Sequence, residues 1–257
     1  MTRLVFLLTF NPAITPIKNP FISRIRCTIS ILWRQKNVLL AIFFIAIVIF
    51  GVIFISWGLD DIEGLLAHPA RAALLLLLLA QLLVIMLLVP LGWMNNRLLL
   101  PQPVDNNTLI AFIGAMGVLL FLMVSPFSDR REWMLLSSSD AVRYFGLFLF
   151  ILGATFSTWA TIHLSKRLSF QVNNQQGYKL VTDGPFKIVR HPRDFGTILV
   201  FIGIPLVFLS SLGLVLAFLS TAGLFERISR EEKMLQMQFK EEWSQYVQKT
   251  KCMIPWA

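Results

Sequence analysis

The sequence predicts an all-α, polytopic membrane helix bundle with four spans, a C-terminal helical hairpin, a cytoplasmic loop and a C-terminal helix. Three observations predict this fold class. Hydrophobic residues make up 56% of the 257 residues and charged residues only 14%, whereas about a quarter of a soluble domain is charged. The mean hydropathy is +0.70. Apolar stretches of roughly 20 residues recur, the length that crosses about 30 Å of hydrocarbon at 1.5 Å per residue.

Four apolar stretches meet this length requirement. The predicted spans are residues 38–57, 72–93, 108–125 and 142–162. The fourth span differs from the others because it carries several small residues, which allow helices to approach closely in a membrane. These small residues are Gly146, Gly153, Ala154 and Ser157. We therefore expect the fourth span to pack tightly against another helix.

The next apolar stretch, residues 196–225, is too long for one ordinary crossing. Pro205, Ser210, Ser211 and Gly213 interrupt it. Splitting it gives two segments, each about 22 Å long as a helix. The pattern predicts a helical hairpin that turns near Ser210 and Ser211, either as two further crossings or as a shallow re-entrant pair.

The distribution of basic residues predicts the orientation. The chain has 23 Lys and Arg against 14 Asp and Glu. With a cytoplasmic N-terminus, 19 basic residues fall on the cytoplasmic side and 4 on the other, as the positive-inside rule requires. We expect a multi-pass protein of a bacterial cytoplasmic membrane with both termini cytoplasmic. Topology thus explains the charge excess, and no nucleic-acid partner is predicted.

The chain divides into three predicted regions. Residues 1–37 form a basic cytoplasmic segment, which either lies on an anionic leaflet or sets the topology. Residues 38–162 form the four-span region, and residues 163–257 carry the remaining motifs. The last region comprises a loop at 171–196, the hairpin at 196–225 and a C-terminal helix at 226–250.

Cysteine and histidine are scarce. Cys27 and Cys252 are the only cysteines, and His68, His163 and His191 the only histidines. A disulfide scaffold or a metal centre needs paired or clustered ligands, so we expect neither. We assign no role to His68, and we expect His163 to be an interfacial residue at the end of the fourth span.

Polar residues accumulate beside the membrane in two segments that the hairpin joins. The loop at 171–196 mixes glycine and proline with charges, which is typical of a structured loop. In the C-terminal helix, Arg227 and Glu231 share a face, as do Glu226 and Arg230, because each pair is four residues apart. We expect both polar segments to meet at one membrane surface.

Ordered motifs in these segments are the strongest functional signal. The first segment contains Leu180-Val181-Thr182-Asp183-Gly184-Pro185-Phe186, then Arg190-His191-Pro192 and Gly196. The second contains Arg227, Glu231-Glu232, Leu235, Phe239, Trp243, Tyr246 and Pro255. In this order the residues resemble the membrane-embedded methyltransferases typified by isoprenylcysteine carboxyl methyltransferase, to which phospholipid N-methyltransferases are related. The resemblance covers about residues 171–257.

The resemblance implies an S-adenosylmethionine-dependent methyltransferase that acts on a lipophilic acceptor at the cytoplasmic membrane face. It implies a catalytic role for Arg227, which would face the acceptor, and for His191. The implied cofactor-binding residues are Gln171, Tyr178, Lys179, Leu180, Val181, Gly184, Phe186, Arg190, His191, Pro192, Asp194 and Glu231. A carboxylate acceptor would be its own nucleophile, and Arg227 could orient it through two hydrogen bonds. We therefore favour an anionic acceptor.

One position departs from the family pattern, and two other functions stay open. The family has tyrosine two residues after the proline of the Arg-His-Pro motif, where this chain has Asp194. An aspartate there could bind the cofactor's ammonium group or ribose hydroxyls, or could mark an altered site. The alternatives are a sterol-reductase-like enzyme that uses NADPH and a non-catalytic membrane protein with the same fold. The sequence identifies neither the acceptor nor an oligomeric state.

Overall fold

The computed structural model describes residues 20–88, 108–136, 138–173 and 179–253. Within these ranges the secondary structure is helical, with seven α-helices and one short 3₁₀ turn at Gly184–Lys187. The helices are α1 (Pro20–Trp57), α2 (Ile62–Ala67), α3 (Pro69–Leu88), α4 (Thr108–Arg130), α5 (Asp140–Asn173), α6 (Pro192–Val207) and α7 (Ser211–Lys249).

Five of these helices are long and apolar enough to cross a membrane. Their candidate spans are Leu39–Trp57, Pro69–Leu87, Phe112–Arg130, Asp140–Arg167 and Ser211–Lys249. Large apolar side chains on them are exposed, among them Phe43, Leu76 and Leu219. A soluble protein rarely exposes such a continuous apolar surface, and a lipid-facing surface explains it. The all-α, multi-pass prediction is confirmed.

The predicted hairpin is formed by α6 and α7. Its turn contains Leu209, which has a φ of +49°, and Ser210, whose side chain accepts a hydrogen bond from the Gly213 amide at 3.0 Å. Ser210 is thus the N-cap of α7. The α6 helix has 16 residues, or about 24 Å, while α7 has 39 and runs from the apolar stretch into the polar C-terminal region. The hairpin arm therefore continues without a break into the C-terminal helix predicted at 226–250, and the break comes later, at a kink at Lys240, whose φ is +40°.

The α5 helix is longer than its apolar core predicts. It continues to Asn173, beyond the expected end at residue 162, because no glycine or proline interrupts residues 163–173. Hydropathy marks where a helix leaves the hydrocarbon, and helix-breaking residues mark where it ends. Gln171 consequently lies in α5, although its side chain is outside the described residues.

The helices α5 and α6 approach closely at paired glycines, as the small residues of the fourth span predicted. A Cβ atom added to Gly196 would lie 2.5 Å from the Gly153 carbonyl oxygen. One added to Gly203 would lie 2.7 Å from the Gly146 carbonyl oxygen. The two helices are antiparallel, so this contact extends along most of α6. It fixes the position of the α6 N-terminus along the axis of α5.

At one end of the bundle, a buried carboxylate joins several helices. Asp129 at the end of α4 receives two hydrogen bonds of 2.7 Å from Arg143 of α5 and one of 3.0 Å from Arg71 of α3. Arg143 also donates to the carbonyl of Val207, the last residue of α6, at 2.8 Å. The loop that precedes α6 and the residues that follow α7 therefore lie at the opposite end.

Candidate functional site

The Arg-His-Pro turn is held by the residues that follow α7. Val189 forms an isolated parallel bridge with Lys251. The Arg190 amide donates to the Lys251 carbonyl at 2.8 Å, and the His191 amide donates to the Cys252 carbonyl at 3.1 Å. His191 is the N-cap of α6, and proline at the first helical position suits a helix start. These contacts fix the position of His191 at the beginning of α6.

The Arg190 guanidinium joins α6 to α7 and to the end of the chain. Its Nε lies 2.9 Å from Glu232 Oε1, and its Nη1 donates to the Thr250 carbonyl at 2.5 Å. It also lies over the Trp243 ring, 6.0 Å from the centroid. The planar fork of an arginine can make all three contacts at once, which a lysine cannot.

His191 is buried and lies on the same glutamate. Its side chain is 5% exposed, and Nε2 is 3.1 Å from Glu232 Oε1. Glu232 therefore bridges Arg190 and His191. Sequence analysis named Glu231 for the site and left Glu232 without a role, although the motif contains both. Adjacent residues on a helix point about 100° apart, and only the packing decides which one reaches the histidine.

Asp194 and Arg227 form the second ion pair of the site. The Asp194 carboxylate, in the first turn of α6, is 4% exposed and is hydrogen-bonded by Arg227 Nη2. Arg193 Nε lies 3.9 Å from the same oxygen. A carboxylate in the first turn of a helix is also favoured by the helix dipole. The departure from the family pattern is thus a buried aspartate with two arginines beside it.

Glu231 lies on the Asp194 side of His191. One ligand atom from each of these three residues lies within 4.8 Å of the other two. Arg227 and Glu231 share a face of α7, as their spacing predicted, but the ion pair of Arg227 is with Asp194. The other predicted pair, Glu226 with Arg230, is confirmed at 2.9 Å.

Seven side chains thus surround the Arg-His-Pro turn, and we refer to them as the His191 cluster. They are Arg190, His191, Arg193, Asp194, Arg227, Glu231 and Glu232. The three arginines and three carboxylates balance, so the cluster has no net charge when His191 is neutral. Such a cluster offers both donors and acceptors, which a small zwitterionic ligand needs.

The cluster also contains side chains that could bind a metal ion, but their ion pairs and the protonated thiol of Cys252 disfavour metal binding. His191, Glu232 and Cys252 lie within 4.8 Å of one another, as do His191, Asp194 and Glu231. Glu232 and Asp194 are each already paired with an arginine. Burial and the nearby Glu232 carboxylate raise the pKa of the Cys252 thiol, which disfavours the thiolate that binds metals. The expectation of no metal stays a prediction.

The loop that precedes the Arg-His-Pro turn is anchored on α5. His163 Nε2 lies 3.0 Å from Asp183 Oδ1, and Arg167 hydrogen-bonds the other oxygen. The His163 hydrogen bond and the Arg167 charge hold the pKa of Asp183 below its usual range. Gly184, at φ +61°, faces the His163 ring, and a Cβ there would lie 2.6 Å from Cε1. Tyr246 donates to the Phe186 carbonyl at 2.6 Å.

These contacts give His163 a role that sequence analysis missed. Its side chain holds the predicted cofactor loop against α5, and its interfacial position stays a prediction. The helix continues beyond residue 162, and His163 lies in it where its ring reaches Asp183 of the loop. A histidine followed 20 residues later by an aspartate is no recognisable pattern, so the sequence carried no usable signal for this pair.

The structure brings only some of the predicted residues into one cluster. Arg190, His191, Asp194, Arg227 and Glu231 lie together in it. Pro192 begins α6 beside them and is buried. Of the remaining predicted residues, Gly184 and Phe186 lie in the 3₁₀ turn, and Lys179, Leu180 and Val181 precede it. Tyr178 and the Gln171 side chain are outside the described residues.

The fold and the His191 cluster define a multi-pass, helical membrane protein with a balanced charged site at one end of its bundle. Comparisons with known proteins show which proteins the chain is similar to. Residues 142–242 match the family model for phospholipid methyltransferases. The match begins in α5, upstream of the motifs, and contains α6, most of α7 and the side chains of the His191 cluster.

Curated relatives agree with this match. The chain is 28% identical to protein-S-isoprenylcysteine O-methyltransferase B of Arabidopsis thaliana over 116 residues, which are 44% of this chain and 59% of that protein. It is 26% identical to a probable protein-S-isoprenylcysteine O-methyltransferase of Oryza sativa subsp. indica over 138 residues, 52% of this chain and 72% of that protein. The predicted resemblance is confirmed: the chain is similar to phospholipid methyltransferases and to isoprenylcysteine O-methyltransferases, and its alignment spans about three fifths of the Arabidopsis relative.

Proposed function

We propose that this protein is an S-adenosylmethionine-dependent methyltransferase that acts on a lipophilic acceptor at the membrane surface. One observation carries the proposal: His191, Glu231 and the Asp194–Arg227 pair lie together within the region that matches the methyltransferase family. The cluster stands where α6 begins at one end of an apolar bundle. A site there is open to a water-soluble cofactor and to lipids at once.

The cofactor's charged groups fit the side chains of the cluster. Glu231 is half-buried, and among the described residues it has no ion pair, whereas Asp194 and Glu232 are paired with arginines. An ionised carboxylate is an acceptor only, so Glu231 suits the cofactor's ammonium group or its ribose hydroxyls. His191, at the N-cap, adds a ring nitrogen, and Arg190 and Pro192 border the same turn.

The loop before the turn would provide the rest of the cofactor pocket. Asp183 and Gly184 hold this loop against α5, and its apolar residues would pack against the adenosine and methionine parts. The residues proposed here are Gln171, Tyr178, Lys179, Leu180, Val181, Gly184 and Phe186.

The chemistry needs little acid–base help from the protein. A sulfonium methyl donor supplies a leaving group that is already activated by its positive charge. The protein must therefore align the nucleophile with the methyl carbon and exclude water. Arg227 pairs with Asp194, and its side chain is 46% exposed. It would therefore face the acceptor.

We also propose that the His191 cluster and both termini face the cytoplasm, since 19 of the 23 basic residues then lie on that side. The relatives are plant proteins and give no support to a bacterial source. Labelling with a membrane-impermeant maleimide tests the orientation in a cysteine-free variant. Ser138→Cys should react in sealed cells and Glu241→Cys only after permeabilisation. The reverse pattern would refute the orientation.

The cofactor assignment is tested by the affinity for S-adenosylmethionine of purified protein in detergent. Wild type should bind, and His191→Ala and Glu231→Ala should each bind about tenfold more weakly or worse, since a hydrogen bond to a charged group is worth about 1.5–3 kcal/mol. Glu226→Gln is the matched control, because it removes a carboxylate on the same helix outside the cluster. Absence of binding by wild type, equal binding by all variants, or stabilisation by NADPH instead would contradict the proposal.

A further inference from the structure

Asp194 is the most enclosed carboxylate of the His191 cluster. The residue is 3% exposed, while Glu231 and Glu232 are only half-buried. A buried carboxylate is costly unless cations and hydrogen bonds compensate it. Arg227 and Arg193 provide this compensation, Arg227 through a direct hydrogen bond and Arg193 at 3.9 Å.

The ion pair with Asp194 engages the Arg227 guanidinium, which is the cation that an anionic acceptor would need. Arg227 Nη2 is hydrogen-bonded to Asp194 Oδ1, and the rest of its side chain is nearly half exposed. A carboxylate acceptor reaching Arg227 from outside would share the guanidinium with Asp194. It would compete with a partner that is covalently fixed and already in place.

The neighbouring charges also disfavour a second anion. Asp194 and Glu231 lie within 4.8 Å of each other across His191, and they balance Arg193 and Arg227. The arriving carboxylate would therefore enter a region where the protein's side chains supply no net positive charge, beside two existing carboxylates. Like charges at such distances repel. An uncharged acceptor would meet no such repulsion.

We propose that Asp194 is a specificity-determining residue that holds Arg227 and excludes carboxylate acceptors, so that the protein methylates a lipophilic acceptor with an uncharged nucleophile. This inference rests on the proposed methyltransferase function. It reverses the anionic acceptor that the sequence favoured. In the reaction, the lone pair of the uncharged group forms the bond to the methyl carbon. The carbon–sulfur bond breaks with its electron pair on sulfur, and the nucleophile's proton leaves to solvent.

The test compares two lipid probes that differ only in charge. They are N-acetyl-S-farnesylcysteine, which carries a carboxylate, and its uncharged carboxamide, each bound in the presence of S-adenosylmethionine. Wild type should bind the carboxamide at least as tightly as the carboxylate. Asp194→Asn should raise the affinity for the carboxylate relative to the carboxamide about tenfold, because Arg227 is released. A merely structural role of Asp194 would weaken both probes alike.

Two further variants test whether the gain in affinity for the carboxylate probe depends on Arg227. Adding Arg227→Gln to Asp194→Asn should abolish the gain, and Glu226→Gln should leave the ratio of the two affinities as in wild type. A wild-type preference for the carboxylate, binding of neither probe, or an unchanged ratio in folded Asp194→Asn would overturn the inference. If Asp194→Asn does not fold, the wild-type ratio decides alone. Failure of the proposed function is separate, since wild type would then not bind S-adenosylmethionine at all.

Discussion

Asp183 fastens the loop before the Arg-His-Pro turn to α5 through His163 and Arg167. Its pKa is lowered, chiefly by the His163 hydrogen bond and also by Arg167. An aspartate has a pKa of about 3.9 in an unfolded chain. A lowered native pKa means that the ionised form stabilises the fold above that value, and that this stabilisation is lost as the pH falls through the native pKa.

We predict that Asp183→Asn lowers the thermal stability at pH 7, and that its difference from wild type begins to shrink at about pH 4 and is lost as the pH falls through the lowered pKa of Asp183. The side chain is 45% exposed, so solvent screening limits the effect to at most about 1 kcal/mol, or ~2–4 °C. Thermal unfolding in detergent at pH 7, 5 and 3.5 measures it. Glu241→Gln, which removes an exposed carboxylate of α7, is the control. A difference at pH 3.5 as large as that at pH 7 would contradict this explanation.

The sequence predicted most residues of the His191 cluster but not their partners. The motifs pointed to His191, Arg190 and Arg227, because their order and spacing are specific. Arg190 meets Glu232 across 42 residues and Arg227 meets Asp194 across 33. Such contacts depend on how α6 and α7 pack, and helical periodicity reports only neighbours on the same helix.

At the scale of the elements, the contact between α5 and α6 depends on glycine. We predict that Gly196→Ala destabilises the protein by about 1–3 kcal/mol, the usual cost of overpacking. Its new methyl group would lie 2.5 Å from the Gly153 carbonyl oxygen and 2.7 Å from the Ser157 amide nitrogen, and both are backbone atoms. The measurement is thermal unfolding of the detergent-solubilised protein.

Gly114→Ala provides the control for this prediction. Gly114 also lies within a membrane helix, but a Cβ there would have no atom within 4 Å. The Gly114→Ala variant should be at least as stable as wild type, because alanine favours a helix more than glycine does. Equal destabilisation by both substitutions would show that helix propensity or lipid contact, rather than close packing, governs the effect.

The elements themselves were largely predictable. Runs of apolar residues located the spans, and Ser210 marked the turn of the hairpin. The length of α5 and the continuity of α7 across residues 225–226 were not predicted, because hydropathy changes at the membrane surface while the backbone hydrogen bonds of a helix continue. A boundary in composition at residues 225–226 is therefore no boundary in secondary structure.

At the scale of the whole molecule, the Asp129 ion pairs connect the bundle at the end opposite the His191 cluster. We predict that Asp129→Asn lowers the free energy of unfolding by about 3–5 kcal/mol, since it leaves Arg71 and Arg143 as buried cations without their common partner. Asp60→Asn is the control at the same end, because Asp60 pairs with Arg130 but is 75% exposed, and it should change little. Similar losses of stability in both variants, measured by thermal unfolding, would contradict this account.

The architecture of the whole molecule follows from composition only in part. A chain with 14% charged residues and repeated apolar runs is expected to form a helical bundle in a membrane. Composition does not determine which helices are in contact, because lipid-facing and buried positions are equally apolar. Only the small residues of α5 indicated a specific contact, and there the prediction was confirmed.

Methyl transfer from radiolabelled S-adenosylmethionine shows whether the protein is a methyltransferase whose activity depends on His191. Vesicles that contain the protein and a mixed membrane-lipid extract, supplemented with the farnesylcysteine carboxamide probe, are incubated with the labelled cofactor and then extracted with organic solvent. Label should enter the lipid fraction with wild type, and at least tenfold more slowly with His191→Ala. Cofactor binding without label in the lipid fraction, or equal labelling by both proteins, would contradict the proposed function.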